Sequence, residues 1–329
     1  MNNTTIRWGI LGAGNIAHAF VNDFKWMKQA SLVAVASSDS KRARGFANRY
    51  EIPYALSYEE FYHHEEIDAV YIATIHQLHF EQILQCLNAG KAVLCEKPVT
   101  INNRQFEILA KISKENEVFF MEAMWTYFLP AMIKAKQWVD EGLIGEIKVI
   151  QADFAYPMNR VTQANLFDPA LAGGSLLELG IYPIAFAYYI TGRDPENIVA
   201  SGQLTDTGVD ERLGVTLQYN NLTASLFSSI VTRMTNTGRI FGEKGFIEIP
   251  EFWRAYECKL FNSEYNLIDT FHDNRISHGF IHEMQHANDL ILQGAYQSPI
   301  MPHSRSYSLQ KTMTEIHRQI GMKYPMEIK

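Results

Sequence analysis

The stretch Ile6-Arg7-Trp8-Gly9-Ile10-Leu11-Gly12-Ala13-Gly14-Asn15-Ile16-Ala17 decides how the rest of this sequence is read. Ile6–Leu11 is a short, mostly apolar run of the kind that forms a strand buried on both faces. A glycine turn follows at once, and Ile16 opens an amphipathic stretch reaching about Met27. Strand, turn and helix in that order give the G-x-G-x-x-A pattern a mechanism. Gly12 permits the tight turn, Gly14 lets a pyrophosphate approach the backbone, and the small Ala17 lets helix and strand pack closely. The phosphates would meet the helix N-terminus at Asn15 and Ile16. Without its context the pattern is weak and describes any strand–turn–helix corner.

Outward from this corner, strands and helices alternate. Leu32–Ala36 reads as a second strand, Lys41–Tyr50 as a helix with its cations outward, and Ala69–Ala73 as a third strand. Ser57-Tyr58-Glu59-Glu60 has the capping-box pattern that starts a helix. Phe80–Ala89 is helical and stops at Gly90. Ala92–Cys95 and Val118–Met121 are further strands, separated by a helix from about Asn103 to Asn116. The alternation predicts an α/β fold with a doubly wound parallel sheet.

Past Glu122 the rhythm changes. A helix around Ala131–Glu141 ends at Gly142, a strand spans Lys148–Phe154, and Ser175–Ile190 is helix-like up to Gly192, with Pro183 awkward inside it. From Val199 to Phe271 strands alternate, including Gly214–Tyr219 and Thr223–Val231 around an Asn220-Asn221 turn, which predicts an antiparallel meander. Apolar residues on both strand faces leave one face for helices and the other for a second subunit. Two helices, about Phe280–Leu292 and Ser308–Ile320, close the chain. The division expected is 1–122 for dinucleotide binding and 123–329 for substrate binding and dimerisation.

The 329 residues carry 29 Lys and Arg against 36 Asp and Glu, a formal charge of −7. Such a surface gains little from polyanions, which argues against nucleic acid or an anionic membrane as partner. Three cysteines, Cys86, Cys95 and Cys258, are too few for a disulfide framework and suit a reducing compartment. Met1–Thr5 has neither a basic nor an apolar segment, so no signal peptide is expected. No run of about 18 apolar residues predicts a spanning helix. The expected location is cytoplasmic.

Three further stretches carry chemistry. Ser37-Ser38-Asp39-Ser40-Lys41-Arg42 follows the second strand. A carboxylate at that tip would hold a ribose, as NAD requires, whereas hydroxyls and cations would hold the 2′-phosphate of NADP. Ser37, Ser38 and Arg42, with Lys41 and Arg44 beyond, favour NADP; Asp39 fits either a ribose ligand or a helix cap, so NAD stays possible. Glu96-Lys97-Pro98 lies at the carboxyl edge of a buried strand, where Pro98 restricts the residue before it and holds Lys97 in one direction. A cation there can lower the pKa of a neighbouring hydroxyl or bind a substrate oxygen; alone, the same residues also describe a surface ion pair. In Gly173-Gly174-Ser175-Leu176-Leu177-Glu178-Leu179-Gly180-Ile181-Tyr182-Pro183, Glu178 and Tyr182 share one helix face, a plausible acid/base set or a plain surface hydrogen bond.

Taken together and in order, the glycine turn, Glu96-Lys97-Pro98 and Gly173-Gly174…Glu178…Tyr182 resemble the Gfo/Idh/MocA oxidoreductase family. Met121-Glu122-Ala123-Met124-Trp125-Thr126, Gly180–Pro183, Ile240–Pro250 and Phe252-Trp253 look like its dimeric dihydrodiol dehydrogenase and NADP-dependent D-xylose dehydrogenase branch. The resemblance covers essentially the whole chain. It implies a Rossmann domain, a C-terminal α/β domain on an open, mainly antiparallel sheet, and a homodimer through those sheets. It implies Lys97 as the catalytic lysine and Tyr182 as the acid/base, with Glu178 where the family usually has Asp. Thr74, His76 and His79 fall in a stretch that lines the nicotinamide side in the family, or else cap a helix. Ser38 and Tyr127 stand where the branch often has Arg, which bears on the cofactor phosphate and on substrate shape. The substrate class implied is a sugar, polyol, cyclic diol or α-dicarbonyl compound.

Other patterns point elsewhere. His282-Glu283-Met284-Gln285-His286 spells the H-E-x-x-H of zinc hydrolases, with no persuasively spaced third ligand among His303, Glu315 and His317; no metal is expected. Trp125, Phe128 and Trp253 fit either a substrate wall or the core, Tyr127 a substrate contact, and Arg160 a substrate oxygen or solvent. Cys95 reads as a buried strand residue. A non-catalytic, sugar-responsive NAD(P)-binding regulator is the remaining reading of the same fold; the presence of Lys97 and Tyr182 favours an enzyme.

Overall fold

Ile6–Leu11 (β1) forms the expected strand, with Trp8, Ile10 and Leu11 fully buried. The computed structural model describes residues 5–328 and groups them in two units. One takes the chain up to Trp125 together with Arg275–Tyr307; the other takes Thr126–Asn274 and the chain from Ser308 onward. After β1 come α1 (Asn15–Phe24), β2 (Ala30–Ala36), α2 (Ser40–Tyr50), β3 (Tyr54–Leu56), α3 (Tyr58–His63), β4 (Ala69–Ile72), α4 (His76–Asn88), β5 (Ala92–Glu96), α5 (Asn103–Asn116) and β6 (Phe120–Ala123). The second unit contributes α6 (Pro130–Asp140), β7 (Ile147–Ala155), α7 (Ile181–Thr191), β8 (Asn197–Leu204), β9 (Asp210–Gln218), β10 (Thr223–Ser229), β11 (Gly238–Gly242), β12 (Gly245–Ile249), β13 (Glu257–Asn262) and β14 (Leu267–His272). Then follow α8 (Phe280–Leu292) and α9 (His303–Ile320).

In the first unit the six strands pair in the order β3-β2-β1-β4-β5-β6, all parallel. The order reverses beside β1, and in such sheets ligands bind beyond the carboxyl ends of the strands at that reversal. Burial on both faces explains why the strands read as continuous apolar runs: every residue of β4 is fully buried. Ser57 caps α3 in the expected capping box with Glu60. β3 has only three residues, too few to give a periodic signal.

The expected division at residues 122 and 123 needs correcting, because residues 275–307 return to the first unit. The bonds that bring them back are non-local. Trp8 Nε1 donates to Asn288 Oδ1 at 3.0 Å, and buried Asp23 accepts the amides of His278 and Gly279, each at 2.9 Å, at the start of α8.

The second unit is built on an eight-stranded sheet ordered β14-β13-β12-β11-β7-β10-β9-β8. Neighbours are antiparallel except β7 and β10, which run parallel, so the expected meander is a mixed sheet. Ile150, Leu217, Ala224, Ile240 and Ile247 lie in register on one buried face, toward α6 and α7. The opposite face is mixed and carries Val199 and Phe227, 51% and 47% exposed. Its far end holds an aromatic ladder, with Phe246 5.5 Å from Phe241 and 4.6 Å from Phe261.

The apolar segment Ser175–Ile190 is helical as expected, but its first part, Leu176–Gly180, winds as a π-helical turn that continues into α7. The amide of Ile181 bonds Leu176 O, the i→i−5 pattern. Pro183 explains part of this: it has no N–H for Leu179 O, and in a tight α-turn its ring would press on that carbonyl. By length and composition, Pro169–Thr191 could cross a membrane, yet 83% of its apolar window is buried. It is a core helix of the second unit.

Candidate active site

The glycine corner of the first unit fits a dinucleotide. Gly12 has φ +100°, and a Cβ there would lie 2.6 Å from Ala73 O, so only glycine serves. At Gly14 the opposite holds: a Cβ would meet nothing within 4 Å, which leaves the backbone approachable. Gly14 is also the N-cap of α1, with no side-chain cap and no acidic residue in the first turn. The N–H groups at Asn15 and Ile16 therefore face the space beyond Gly14 with the positive end of the helix dipole, as a pyrophosphate requires.

At the tip of β2, Asp39 is engaged by the helix that follows it. Its Oδ1 accepts the amides of Lys41 at 2.8 Å and Arg42 at 3.3 Å, so it caps α2. Those two backbone donors hold its carboxyl below the usual range. Arg42 gathers the serines instead, with Nε 3.1 Å from Ser37 Oγ and Nη2 3.2 Å from Ser38 Oγ. Two hydroxyls and a guanidinium side by side suit a phosphate better than a ribose.

Lys97 follows β5 at a turn fixed from several sides. The Tyr71 phenol donates to Glu96 Oε1, and the Lys97 amide donates to Glu96 Oε2 at 3.3 Å. The Lys97–Pro98 peptide is cis. Val99 N donates to Glu122 Oε1 at 3.0 Å, and burial pushes the Glu122 carboxyl up to about 7, against the pull of its donors and Lys97. His79 is fully buried, with Nδ1 2.9 Å from Pro98 O and Nε2 3.2 Å from Thr74 O. Burial pushes it down to about 4, so the neutral ring donates to one of these carbonyls and only lies against the other. His76 is partly exposed and meets His79 edge-on at 5.9 Å. Thr74 Oγ1 donates to Gln82 at 2.6 Å. Trp125, 6% exposed, stacks on Phe280 at 4.8 Å.

In the second unit, Tyr182 and Glu178 sit on the π-turn and the start of α7. Buried Asp210 accepts the amide of Leu176 at 2.6 Å, capping this helical segment from β9. Gly174 has φ +118°, and a Cβ there would collide with Asp210 Oδ1. Ser175 Oγ donates to Ser228 Oγ at 2.8 Å, and a Cβ on Gly180 would come within 2.9 Å of the same hydroxyl. The glycines thus admit β9 and β10 against the helix. Tyr182 is 8% exposed, edge-on to Phe154 at 5.2 Å and to Trp253 at 6.4 Å, and those two rings stack at 4.9 Å. Glu178, four residues earlier, is half-buried. Phe154 and Asp210 are the site residues that sequence reasoning missed. Phe154 was legible only as the end of a strand, and Asp210 lies 34 residues from the amide it caps.

Tyr127 is buried and gives its hydroxyl to Ala185 O at 2.7 Å, bracing α7. Arg160 is exposed, paired with Asp206 and stacked over Phe167 at 5.0 Å, on the wall of a cavity of about 520 Å³. The H-E-x-x-H run does not assemble a metal site. Glu283 is fully buried, whereas His286 Nε2 meets Ser298 Oγ at 2.7 Å, and among the described residues no three His, Cys, Asp or Glu are grouped to hold an ion. Cys95, like Cys86 and Cys258, is a buried free thiol, pushed up by burial.

Residues 6–124 match the oxidoreductase family with an NAD-binding Rossmann fold, and residues 132–248 match the Gfo/Idh/MocA C-terminal domain. The chain belongs to the Gfo/Idh/MocA family. Among its relatives, a Xenopus laevis trans-1,2-dihydrobenzene-1,2-diol dehydrogenase is 34% identical over 97% of this chain and 99% of its own. The Homo sapiens protein of the same name is 33% identical over 98% and 99%. An aldose-aldose oxidoreductase from Caulobacter crescentus, crystallised with glycerol, superposes with a TM-score of 0.87 at 25% identity, over 96% of this chain and 97% of that one. A 3-ketoreductase from Actinomadura kijaniata, solved with NADP and TDP-benzene, shares the fold at TM-score 0.86 and 23% identity, over 96% and 98%. As a Gfo/Idh/MocA member, the chain is an NAD(P)-binding oxidoreductase of the dehydrogenase type.

Proposed function

We propose that the chain is an NADP-dependent dehydrogenase/reductase for a vicinal diol or sugar, with Tyr182 as acid/base, Lys97 as its cationic assistant and Glu178 as a substrate hydroxyl ligand. The observation that carries the reading is Tyr182 itself: a nearly buried phenol edge-on to Phe154 and Trp253, in the first turn of α7 directly after the π-turn that bears half-buried Glu178. The resemblance read from the sequence implies these roles for Lys97 and Tyr182, and relatives at 33–34% identity are named for a trans-diol. The cofactor, when bound, supplies the nicotinamide carbon that gives or takes hydride. The residues of the chain do the rest. Tyr182 takes the substrate hydroxyl proton in oxidation and returns it in reduction. Lys97 favours the phenolate by its charge. Glu178 accepts a hydrogen bond from a neighbouring hydroxyl, its reach one methylene longer than an aspartate's. Ser37, Ser38 and Arg42 receive the 2′-phosphate, and Asp39 is their helix cap.

The uncovered face of the eight-stranded sheet, with Val199, Phe227 and the Phe241–Phe246–Phe261 ladder, supports a homodimer through that face. Sedimentation equilibrium should then give twice the chain mass, and Phe227→Asp should shift it toward the monomer. Buried free thiols suit the reducing cytoplasm. The activity is tested by screening cyclic trans-diols, aldoses and α-dicarbonyl compounds with NADPH and NADP in turn. Turnover of one class is expected; tight NADPH binding without turnover of any would support the regulator reading instead.

A further inference from the structure

Within the His282–His286 run, Glu283 is fully buried, and neither of its carboxyl oxygens has a hydrogen-bond partner among the described residues. It faces Glu96 and Tyr71, with which it interacts electrostatically. Tyr71 is fixed in turn, stacked on Phe20 at 3.6 Å, and its phenol donates to Glu96 Oε1. Glu96 Oε2 takes the amide of Lys97. The carboxyl that anchors the Lys97 turn therefore has a second carboxyl as its electrostatic neighbour, and both are buried. Two neighbouring carboxylates there cannot both ionise cheaply. Glu96 has donors for its charge; Glu283 has none.

We propose that Glu283 is a positioning residue for the Lys97 turn: a proton-bearing carboxyl that leaves Glu96, held by Tyr71, free to carry its negative charge behind the lysine. The inference rests on the reading of Lys97 as a catalytic group. Burial first, and Glu96 second, hold the Glu283 carboxyl well above the usual range. Glu283 interacts electrostatically with Glu96 on β5 and Tyr71 on β4; Cys95 on β5 bears on Tyr71, and Asp23 on α1 caps the start of α8. Lys28 meets α8 through its main chain, at Gln285 and Asn288. None of the side chains named supplies a positive charge. A carboxyl raised in this way lends stability that is full below the ordinary carboxylate range and is lost as pH rises through its folded value. Its ionisation would set two anions against each other and loosen the Glu96–Tyr71 anchor.

The test measures Tm without ligand, and NADPH affinity, from about pH 6 to about pH 10 for the wild type and Glu283→Gln, which keeps the neutral shape. The wild type should lose Tm and NADPH affinity together on the alkaline side, and E283Q should lose much less of either, ending about tenfold tighter for NADPH than the wild type. Tyr71→Phe serves as a second variant: removing the donor to Glu96 should weaken NADPH binding about tenfold near neutral pH. Parallel alkaline Tm curves for wild type and E283Q overturn the proposal. Separated Tm curves with identical affinity profiles reduce Glu283 to packing and overturn it too. If the wild type binds no NADPH at any pH, the oxidoreductase reading fails, and the positioning role with it. That failure is separable, because the Tm curves are read without cofactor.

Discussion

The glycine corner at Gly12–Ala17 and the stretch Gly173–Pro183 around the π-turn both put glycines beside a helix, but they work differently. At the corner, Gly14 faces open space and its missing side chain serves a ligand. At the π-turn, Gly174 and Gly180 admit Asp210 and Ser228, so their missing side chains serve the protein itself. The corner is local: strand, turn and helix are consecutive, and the cap Asp39 bonds residues two and three positions on. The π-turn is held by groups 34 and 53 residues away. A site assembled from neighbours can be read from a motif, whereas one assembled across a sheet needs the sheet first.

The sharpest way to break this comparison is at the chemistry the π-turn carries. Tyr182→Phe should lower kcat by about 10²- to 10⁴-fold, the usual worth of a positioned acid/base, while NADPH affinity at the glycine corner stays within about twofold. Turnover kinetics and equilibrium titration of the same preparation check both halves. Next come the glycines. Gly174→Ala should cost about 2–4 kcal/mol of stability, since a side chain at φ +118° must also displace Asp210. Gly14→Ala should cost no more than about 1 kcal/mol in urea unfolding yet weaken NADPH binding at least about tenfold. Equal stability losses for the two variants would erase the distinction.

A smaller effect sharpens the account of the Lys97 side. His79 is fully buried and pushed down to about 4 from 6.5. A base lowered on folding gives stability that is full above its unfolded value and is lost as pH falls toward the folded one. The window is therefore about pH 6.5 down to about 4, worth about 3 kcal/mol at most. Urea unfolding across that range should show the loss in the wild type and a shallower acid limb in His79→Gln.

The parallel sheet was legible because its strands are buried on both faces and bounded by turn residues; α5 and α8 fall at Asn103–Asn116 and Phe280–Leu292 as the sequence predicts. What was not legible has physical causes. β3 is too short for a period, and α8 rejoins the first unit through single bonds from Asp23 and Trp8 across more than 250 residues. Asp39 presents the same chemistry as a cap and as a ribose ligand until its donors are seen. Tyr127 and His79 looked like pocket residues because nothing in a linear sequence tells that their polar atoms meet backbone carbonyls. The H-E-x-x-H run, from which no metal was expected, puts two histidines on one helix face, while the glutamate between them is fully buried.

The central claim, an NADP-dependent oxidoreductase whose phosphate site is Ser37, Ser38 and Arg42, is tested most directly by calorimetric titration of the purified protein with NADPH and NADH side by side. The account predicts NADPH binding at least about tenfold tighter than NADH, as expected when a guanidinium and two hydroxyls gain a phosphate. Equal or tighter binding of NADH would contradict it, and would return Asp39 to the ribose.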